Sequence, residues 1–271
     1  MGPCRKPENR KCGAAVLSAF LLCLSYSTSL GLFLTPLAVA PLAWGVTDLP
    51  TKRKLAHVVL SLGIYQAWVH IWAVDYSWLG WVVLTVLKTL PYCLLAAASG
   101  RALGFACLWT AAEWVNSLGA LGHTGGSLSH NLALYPVLVQ SACVAGPWFI
   151  TFLMIFSGTA LANRARSTLA TALALLLLTW GYGERTLQQP VESSRTVSVA
   201  VVQGCLSYEL KFNDPPSVES AEALLELTAQ ACPKSELVIW SETAFPWCGL
   251  RWDPNWSIRL GRLARRTETT L

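Results

Sequence analysis

Long apolar runs dominate the first two thirds of the chain, separated by short polar segments. Runs able to cross a hydrocarbon layer of about 30 Å extend from Ala14 to Leu34, Leu55 to Val74, Leu79 to Ala98, Ala102 to Leu118, Pro136 to Ala162 and Thr168 to Tyr182. A shorter run, Pro36 to Val46, is interrupted by Pro36 and Pro41 and predicts a short or tilted helix. Counting it gives seven expected spans, and the basic residues then fall on alternate sides: Arg5, Lys6, Arg10 and Lys11, then Lys52, Arg53 and Lys54, then Arg101, then Arg164 and Arg166. The opposite segments, around Asp75 to Trp78 and Gly119 to Tyr135, hold no Lys or Arg. Because Lys and Arg accumulate in short cytoplasmic loops, the N-terminus is expected in the cytoplasm and everything after Tyr182 outside it. The basic start followed by further spans reads as a retained first helix, not a cleaved signal.

The pattern changes after Tyr182. From Leu55 to Ala162 only Asp75, Lys88, Arg101 and Glu113 carry formal charge, whereas Val197 to Leu271 carries sixteen charged residues. We therefore expect a multi-span membrane domain over 1–183, a linker over 184–196, and a different kind of domain over 197–271. Val197 to Val202 is β-branched and nearly all apolar, as in a strand buried on both faces. Pro215, Pro216 and Ser217 start a helix whose period runs through Val218, Ala221, Leu224, Leu225 and Thr228. Leu237 to Trp240 is a second strand, and Trp256 to Arg266 a second helix with Ile258, Leu260, Leu263 and Ala264 on one side. A βαβα order predicts a parallel sheet in an α/β layered domain. Two strands in about 75 residues are too few for such a domain with helices on both faces, so the segment reads as its opening part, cut off mid-fold.

Composition sharpens this picture. Hydrophobic residues make up 54% of the 271 and charged residues 13%, far from soluble averages. The net charge of +5 sits in short segments between spans, which excludes nucleic-acid binding. The nine cysteines show no paired short spacing, so no zinc site or disulfide framework is expected. His123 and His130 in the glycine-rich loop have no carboxylate support, and no metal or cofactor is assigned. Trp44, Trp78, Trp81 and Trp180 stand near span ends, where amphipathic rings anchor. No internal repeat suggests a transporter.

Three acidic or basic groups hold candidate chemistry. Glu242 follows the strand Leu237 to Trp240, where a carboxylate serves as a general base or is merely solvated. Glu113 and Lys88 are ionisable residues inside spans, where an unpaired charge is costly. Lys88 lies 13 residues before Arg101 and Glu113 lies 12 after it, so at about 1.5 Å per residue both sit about 18–20 Å deep. They are expected to face each other as an ion pair; the alternative is separate contacts, with Lys88 reaching toward the interface and Glu113 hydrogen-bonded to its neighbours.

Several short motifs resemble one family. In the membrane part these are Trp109-Thr110-Ala111-Ala112-Glu113-Trp114, Gly119-Ala120-Leu121-Gly122, Gln140, Gly146 and Ile150-Thr151-Phe152; in the following part, Val199-Ala200-Val201-Val202-Gln203-Gly204 and Trp240-Ser241-Glu242-Thr243-Ala244. Together they are similar to the apolipoprotein N-acyltransferases of bacterial envelopes, which join a multi-span membrane domain to a nitrilase-like domain. The resemblance implies a protein of the inner membrane with its nitrilase-like domain on the periplasmic side, a phospholipid acyl donor and an apolipoprotein acceptor. It implies a reaction in two half-steps: a cysteine takes an acyl chain from phospholipid, and the thioester passes it to the α-amine of a diacylglyceryl-cysteine.

On that resemblance Glu242 carries over as general base. The family's lysine and cysteine fall well downstream of the glutamate strand, past Leu271, and this chain alone is expected to be inactive. Glu113, Lys88, Lys211 and Phe212 are candidate substrate or lipid contacts. Cys248 and Lys211 are read as loop residues, not substitutes for the two missing catalytic groups. Asn116 stands where the family has Arg, His123-Thr124-Gly125 where it has Phe-Pro-Trp, and Phe212 where it has Trp, departures that bear on lipid and loop contacts. The alternative reading is a non-catalytic lipid-binding or scaffold remnant.

Overall fold

The computed structural model describes residues 6–98, 101–190, 196–204, 218–232, 235–241, 244, 254–267 and 270. The chain separates into two compact units, Met1–Pro190 and Val191–Leu271. The first is built from α1 (Lys6–Ser27), α2 (Gly31–Val46), α3 (Thr51–Val69), α4 (Trp78–Thr89), α5 (Ala102–Asn116), the short α6 (Pro136–Val139) and α7 (Ala142–Ala145), α8 (Pro147–Asn163) and α9 (Arg166–Leu187). Tight 3-10 turns at Ile71–Asp75, Leu90–Ala97 and Leu128–Leu132 join some of them.

Packing follows side-chain size. Helix α1 lies against α2 and α3, α2 against α8, α5 against α8, and α9 against α6 and α8. Ala15, Ala38, Ala43, Ala106, Ala112 and Ala160 line the buried seams, letting backbones approach around Leu22, Leu62, Tyr65, Phe105 and Trp109. Gly158 marks a close approach of α8 to α2: a Cβ there would fall 2.6 Å from the Pro36 carbonyl oxygen and 2.7 Å from Val39 Cβ. Small polar groups also lie inside. Asn131 donates to Ser25 Oγ (3.0 Å) and Thr35 Oγ1 (3.1 Å), tying α1 and α2 to the Leu128–Leu132 turn. Other large apolar side chains point outward, with Phe20, Phe33, Trp72, Leu173, Leu177 and Leu178 all more than half exposed.

Several boundaries differ from the sequence reading, each for a local reason. The first apolar run does not continue to Leu34. It stops at Ser27, where Ser25 and Thr28 bond back to the carbonyls of Leu22 and Leu24, and α2 begins at Gly31, with Pro36 and Pro41 inside it. The expected single span from Pro136 to Ala162 is bent by 118° between Pro136–Ala145 and Pro147–Asn163. Gly146 adopts φ of +71°, a left-handed conformation that glycine takes freely, and Pro147 begins a new helix without a backbone donor. Helix α9 continues through residues 184–187, expected as linker. By length and composition one helical stretch, Trp78–Ala97, is sufficient to cross a membrane, and the bent pair is a second if taken as one span.

The second unit contains β1 (Val199–Val202), α10 (Val218–Ala231), β2 (Leu237–Trp240) and α11 (Pro254–Thr267). The strands pair in parallel, Val199 opposite Leu237 through Val202 opposite Trp240. Thr270 extends this parallel order with a bridge to Leu237, accepting from Val238 N at 2.8 Å. One face of the sheet is covered: Val202 and Val238 pack with Leu224 and Cys232, and Leu263 joins them. Trp240 Nε1 donates to Thr228 Oγ1 at 3.0 Å, fastening β2 to α10. Arg259 makes a bidentate pair with Glu222 at 2.6 Å, joining α11 to α10; each holds the other's charged form, lowering the carboxyl pKa and raising the guanidinium's. The other face is bare, with Val199, Val201 and Ile239 48%, 74% and 46% exposed. The strands are therefore not buried on both sides as their composition predicts; among the described residues the helices cover a single face.

Candidate functional site

Glu113 lies on the last turn of α5, one turn after Trp109, and is 3% exposed. Four donors converge on its carboxylate. Trp109 Nε1 and the Leu128 backbone N each donate to Oε1 at 3.1 Å, while Ser127 Oγ and Thr151 Oγ1 donate to Oε2 at 2.6 and 2.7 Å. These partners belong to α5 itself, to the glycine-rich loop and to α8. Ser129 is also within 2.9 Å of Ser127 Oγ. A buried carboxyl group is tolerable when its lone pairs are all used, and here they join three segments at one point. The Tyr92 and Tyr65 rings lie close by: Tyr92 sits 5.5 Å from the Trp109 ring, and Tyr65 Oη donates to the Gly126 carbonyl at 3.0 Å.

Lys88 does not pair with Glu113. Its ammonium, on a side chain only 4% exposed, donates to the backbone carbonyls of Asn116 (2.7 Å) and Leu121 (2.9 Å). Asn116 Nδ2 returns a bond to the Lys88 carbonyl at 3.0 Å. This cross-link caps the C-terminus of α5 with a cation, the favourable sign for a helix end. The expected ion pair is therefore absent, and each group has its own partners. Equal depth was inferred from a uniform helical rise, but residues Leu90–Ala97 between the two helices are 3-10 turns, whose rise is about 2.0 Å per residue, and counting residues does not give direction around the axis.

Near Lys88 the end of α3 meets the loop. The His70 and His123 rings are 5.1 Å apart in an edge-to-face arrangement. Gln66, one turn before His70, points its amide nitrogen at Tyr92 Oη. Burial, then the Lys88 ammonium and His70, pushes His123 down to about 4. His130 is exposed on the Leu128–Leu132 turn. Among the described residues no group of three or more His, Cys, Asp or Glu side chains is placed to hold a metal. Beside the Glu113 node an apolar groove of about 480 Å³ runs between α5 and α8, lined by Cys107, Thr110, Trp114, Trp148, Phe149 and Phe152.

The remaining candidates fall elsewhere. Strand β2 ends at Trp240, and Glu242 two residues on lies outside the described residues, as do Lys211, Phe212 and Cys248. Sequence reasoning missed the partners of Glu113. Trp109, four residues earlier, was the legible one, since residues four apart share a helix face; Ser127 and Thr151 carry no local signal. It also passed over His70, which reads as one more residue in an apolar run.

Comparison with known proteins sets these features in context. No family model matches the chain. The apolipoprotein N-acyltransferase of Geobacter metallireducens is 28% identical over 94% of this chain and 55% of its own length. That of Chromobacterium violaceum is 26% identical over 86% of the chain and 49% of its own length, and that of Allorhizobium ampelinum 30% identical over 54% and 30%. All three relatives are acyltransferases by name. The chain is thus similar, through both of its units, to apolipoprotein N-acyltransferases. It spans about half the length of the relatives that it matches most extensively.

Proposed function

We propose that this chain supplies the membrane unit and the opening βαβ segment of a protein that moves an acyl chain from phospholipid to the N-terminal diacylglyceryl-cysteine of apolipoproteins. The observation that carries this reading is a match running through both units, over 94% of the chain. The outward apolar side chains of the first unit suit contact with lipid tails. With α4 and its 3-10 continuation as one span and the bent α6–α8 segment as another, the helices provide seven passes, placing the N-terminus in the cytoplasm and the second unit on the periplasmic side of the inner membrane. The apolar lining of the groove between α5 and α8 suits an acyl chain, and the Glu113 node ties these two helices together. The domain organisation is then 1–183 for the membrane part and 197–271 for the nitrilase-like part, joined by 184–196.

In this reading Glu242 is the general base that takes the proton from a thiol. The thiolate attacks the phospholipid acyl carbonyl, expels the lysophospholipid and forms a thioester; the acceptor amine then displaces the thiol. The catalytic roles of lysine and cysteine have no matching residue among these 271, so the 271-residue chain is expected to bind substrate and not to turn over. The test joins residues 1–271 to the C-terminal remainder of the Geobacter relative and follows transfer of a labelled acyl group from phospholipid to a diacylglyceryl peptide. Transfer by the chimera, abolished by Glu242→Gln, is the expected result. Transfer by the 271-residue chain itself, or by the Glu242→Gln chimera, overturns the assignment. Binding of the peptide without transfer in either protein favours a lipid-binding scaffold.

A further inference from the structure

Two histidine nitrogens at the junction of α3 and the glycine-rich loop are buried and have no partner: Nε2 of His70 and Nε2 of His123. Their protonation states follow from the opposite ring nitrogens. His70 Nδ1 lies 2.8 Å from the Gln66 carbonyl oxygen, which only accepts, so Nδ1 carries the proton and Nε2 a bare lone pair. His123 Nδ1 accepts from the Gly125 backbone N at 3.0 Å, so its proton is on Nε2. One ring thus presents an acceptor and the other a donor, 5.1 Å apart between centroids. A shared transition metal is disfavoured, because it needs a bare Nε2 on both rings.

The same loop is held by Lys88 through the carbonyls of Asn116 and Leu121, by the His123 N bond to the Asn116 carbonyl at 3.2 Å, and by Tyr65 at Gly126. Among the described residues, the charged or titratable groups acting on His123 are the Lys88 ammonium and His70, and on His70 the Lys88 ammonium; no carboxylate offsets them.

We propose that His70 and His123, with Lys88, form an acid-released latch that holds loop residues 117–126 against the ends of α3 and α4. A proton on His123 must go to Nδ1, which removes the acceptor of the Gly125 N–H. A proton on His70 goes to Nε2 and sets two N–H donors against each other. Either event adds a positive charge beside Lys88 in a site with little water to screen it. The sign follows: His123 titrates at about 4 with the loop closed and near its ordinary value of about 6.5 with the loop free. Closure is complete above about pH 6.5 and weakens as the pH falls toward about 4. The latch does not depend on the proposed acyl transfer, though its access to periplasmic pH rests on the topology given above.

Hydrogen exchange of the 271-residue protein in detergent micelles tests this, with rates normalised to the intrinsic exchange rate at each pH. Protection of the amides of Gly122, His123, Gly125 and Ser127 is expected to fall from about pH 6.5 to about pH 4.5, by no more than about tenfold per unit for each proton taken up. In His123→Asn the side-chain oxygen still accepts from the Gly125 N–H, as in an Asx-turn, without titrating, and most of the fall should be lost, leaving the smaller part due to His70. His70→Gln should flatten the profile in part. Wild-type protection that changes less than about twofold over this range overturns the proposal, as does an equal fall in His123→Asn. Stronger protection on adding Zn²⁺ overturns it too, since that requires a bare Nε2 on His123.

Discussion

Replacing Glu113 by Leu separates a structural carboxylate from one kept for its charge. The substitution is close in size, so little is lost in packing, and the effect comes from the donors left behind. Ser127 and Thr151 have rotatable hydroxyls and can turn toward each other or Ser129, at 3.4 and 2.9 Å. The Trp109 Nε1–H and the Leu128 N–H are fixed, each 3.1 Å from Oε1, and have no such freedom. A buried donor without a partner costs about 1–3 kcal/mol, so Glu113→Leu should destabilise the first unit by about 2–6 kcal/mol. At about 2–4 °C per kcal/mol for a unit of this size, the midpoint falls by roughly 4–24 °C, read as the fraction remaining monodisperse after heating in detergent. Glu113→Gln keeps the carbonyl oxygen for the two fixed donors and offers its NH₂ to hydroxyls that accept as readily as they donate. It should cost only about 1–2 kcal/mol. A Leu variant within about 2 °C of wild type, or a Gln variant as damaged as the Leu variant, would refute the assignment of Glu113 as a hydrogen-bond hub.

Other expectations rest on separate contacts. Lys88→Met removes a charged donor from two carbonyls and should cost about 1.5–3 kcal/mol; it should also raise the His123 pKa from about 4 part of the way back, as read by NMR of labelled histidine. Gly158→Val forces a Cβ against Pro36 and Val39 and should destabilise by about 1–3 kcal/mol or more, visible in the same heating assay. Reporter fusions after Asn163 and after Gln189 should report cytoplasmic and periplasmic locations respectively; the reverse order overturns the proposed topology.

Much of the first unit was legible because its helices announce themselves by long apolar runs. The boundaries were less so. Gly146-Pro147 was visible as a breaker pair, yet apolar residues on both sides masked a bend of 118°. The turn before α2 was spelled by Ser27, Thr28 and Ser29, small polar residues that an average over the run dilutes. In the site, an i to i+4 relation was readable for Trp109 and Glu113, but Ser127 and Thr151 meet the carboxylate through tertiary packing that no short window contains. Lys88 and Glu113 were paired by counted depth alone, which the 3-10 turns of Leu90–Ala97 distort and which fixes nothing about rotation around the axis. The parallel βαβ order was legible, but not the covering of a single face: composition reports how apolar a strand is, not which layers are present to bury it.

The bare face of β1 and β2 bears on how the molecule ages. Val199, Val201 and Ile239 form an adhesive strip in water, the kind of surface that chaperones hold and proteases reach first. The helical unit keeps its own core, so the two halves should have unequal lifetimes. Brief digestion should leave a stable fragment ending near residue 190, while the strand-bearing half disappears.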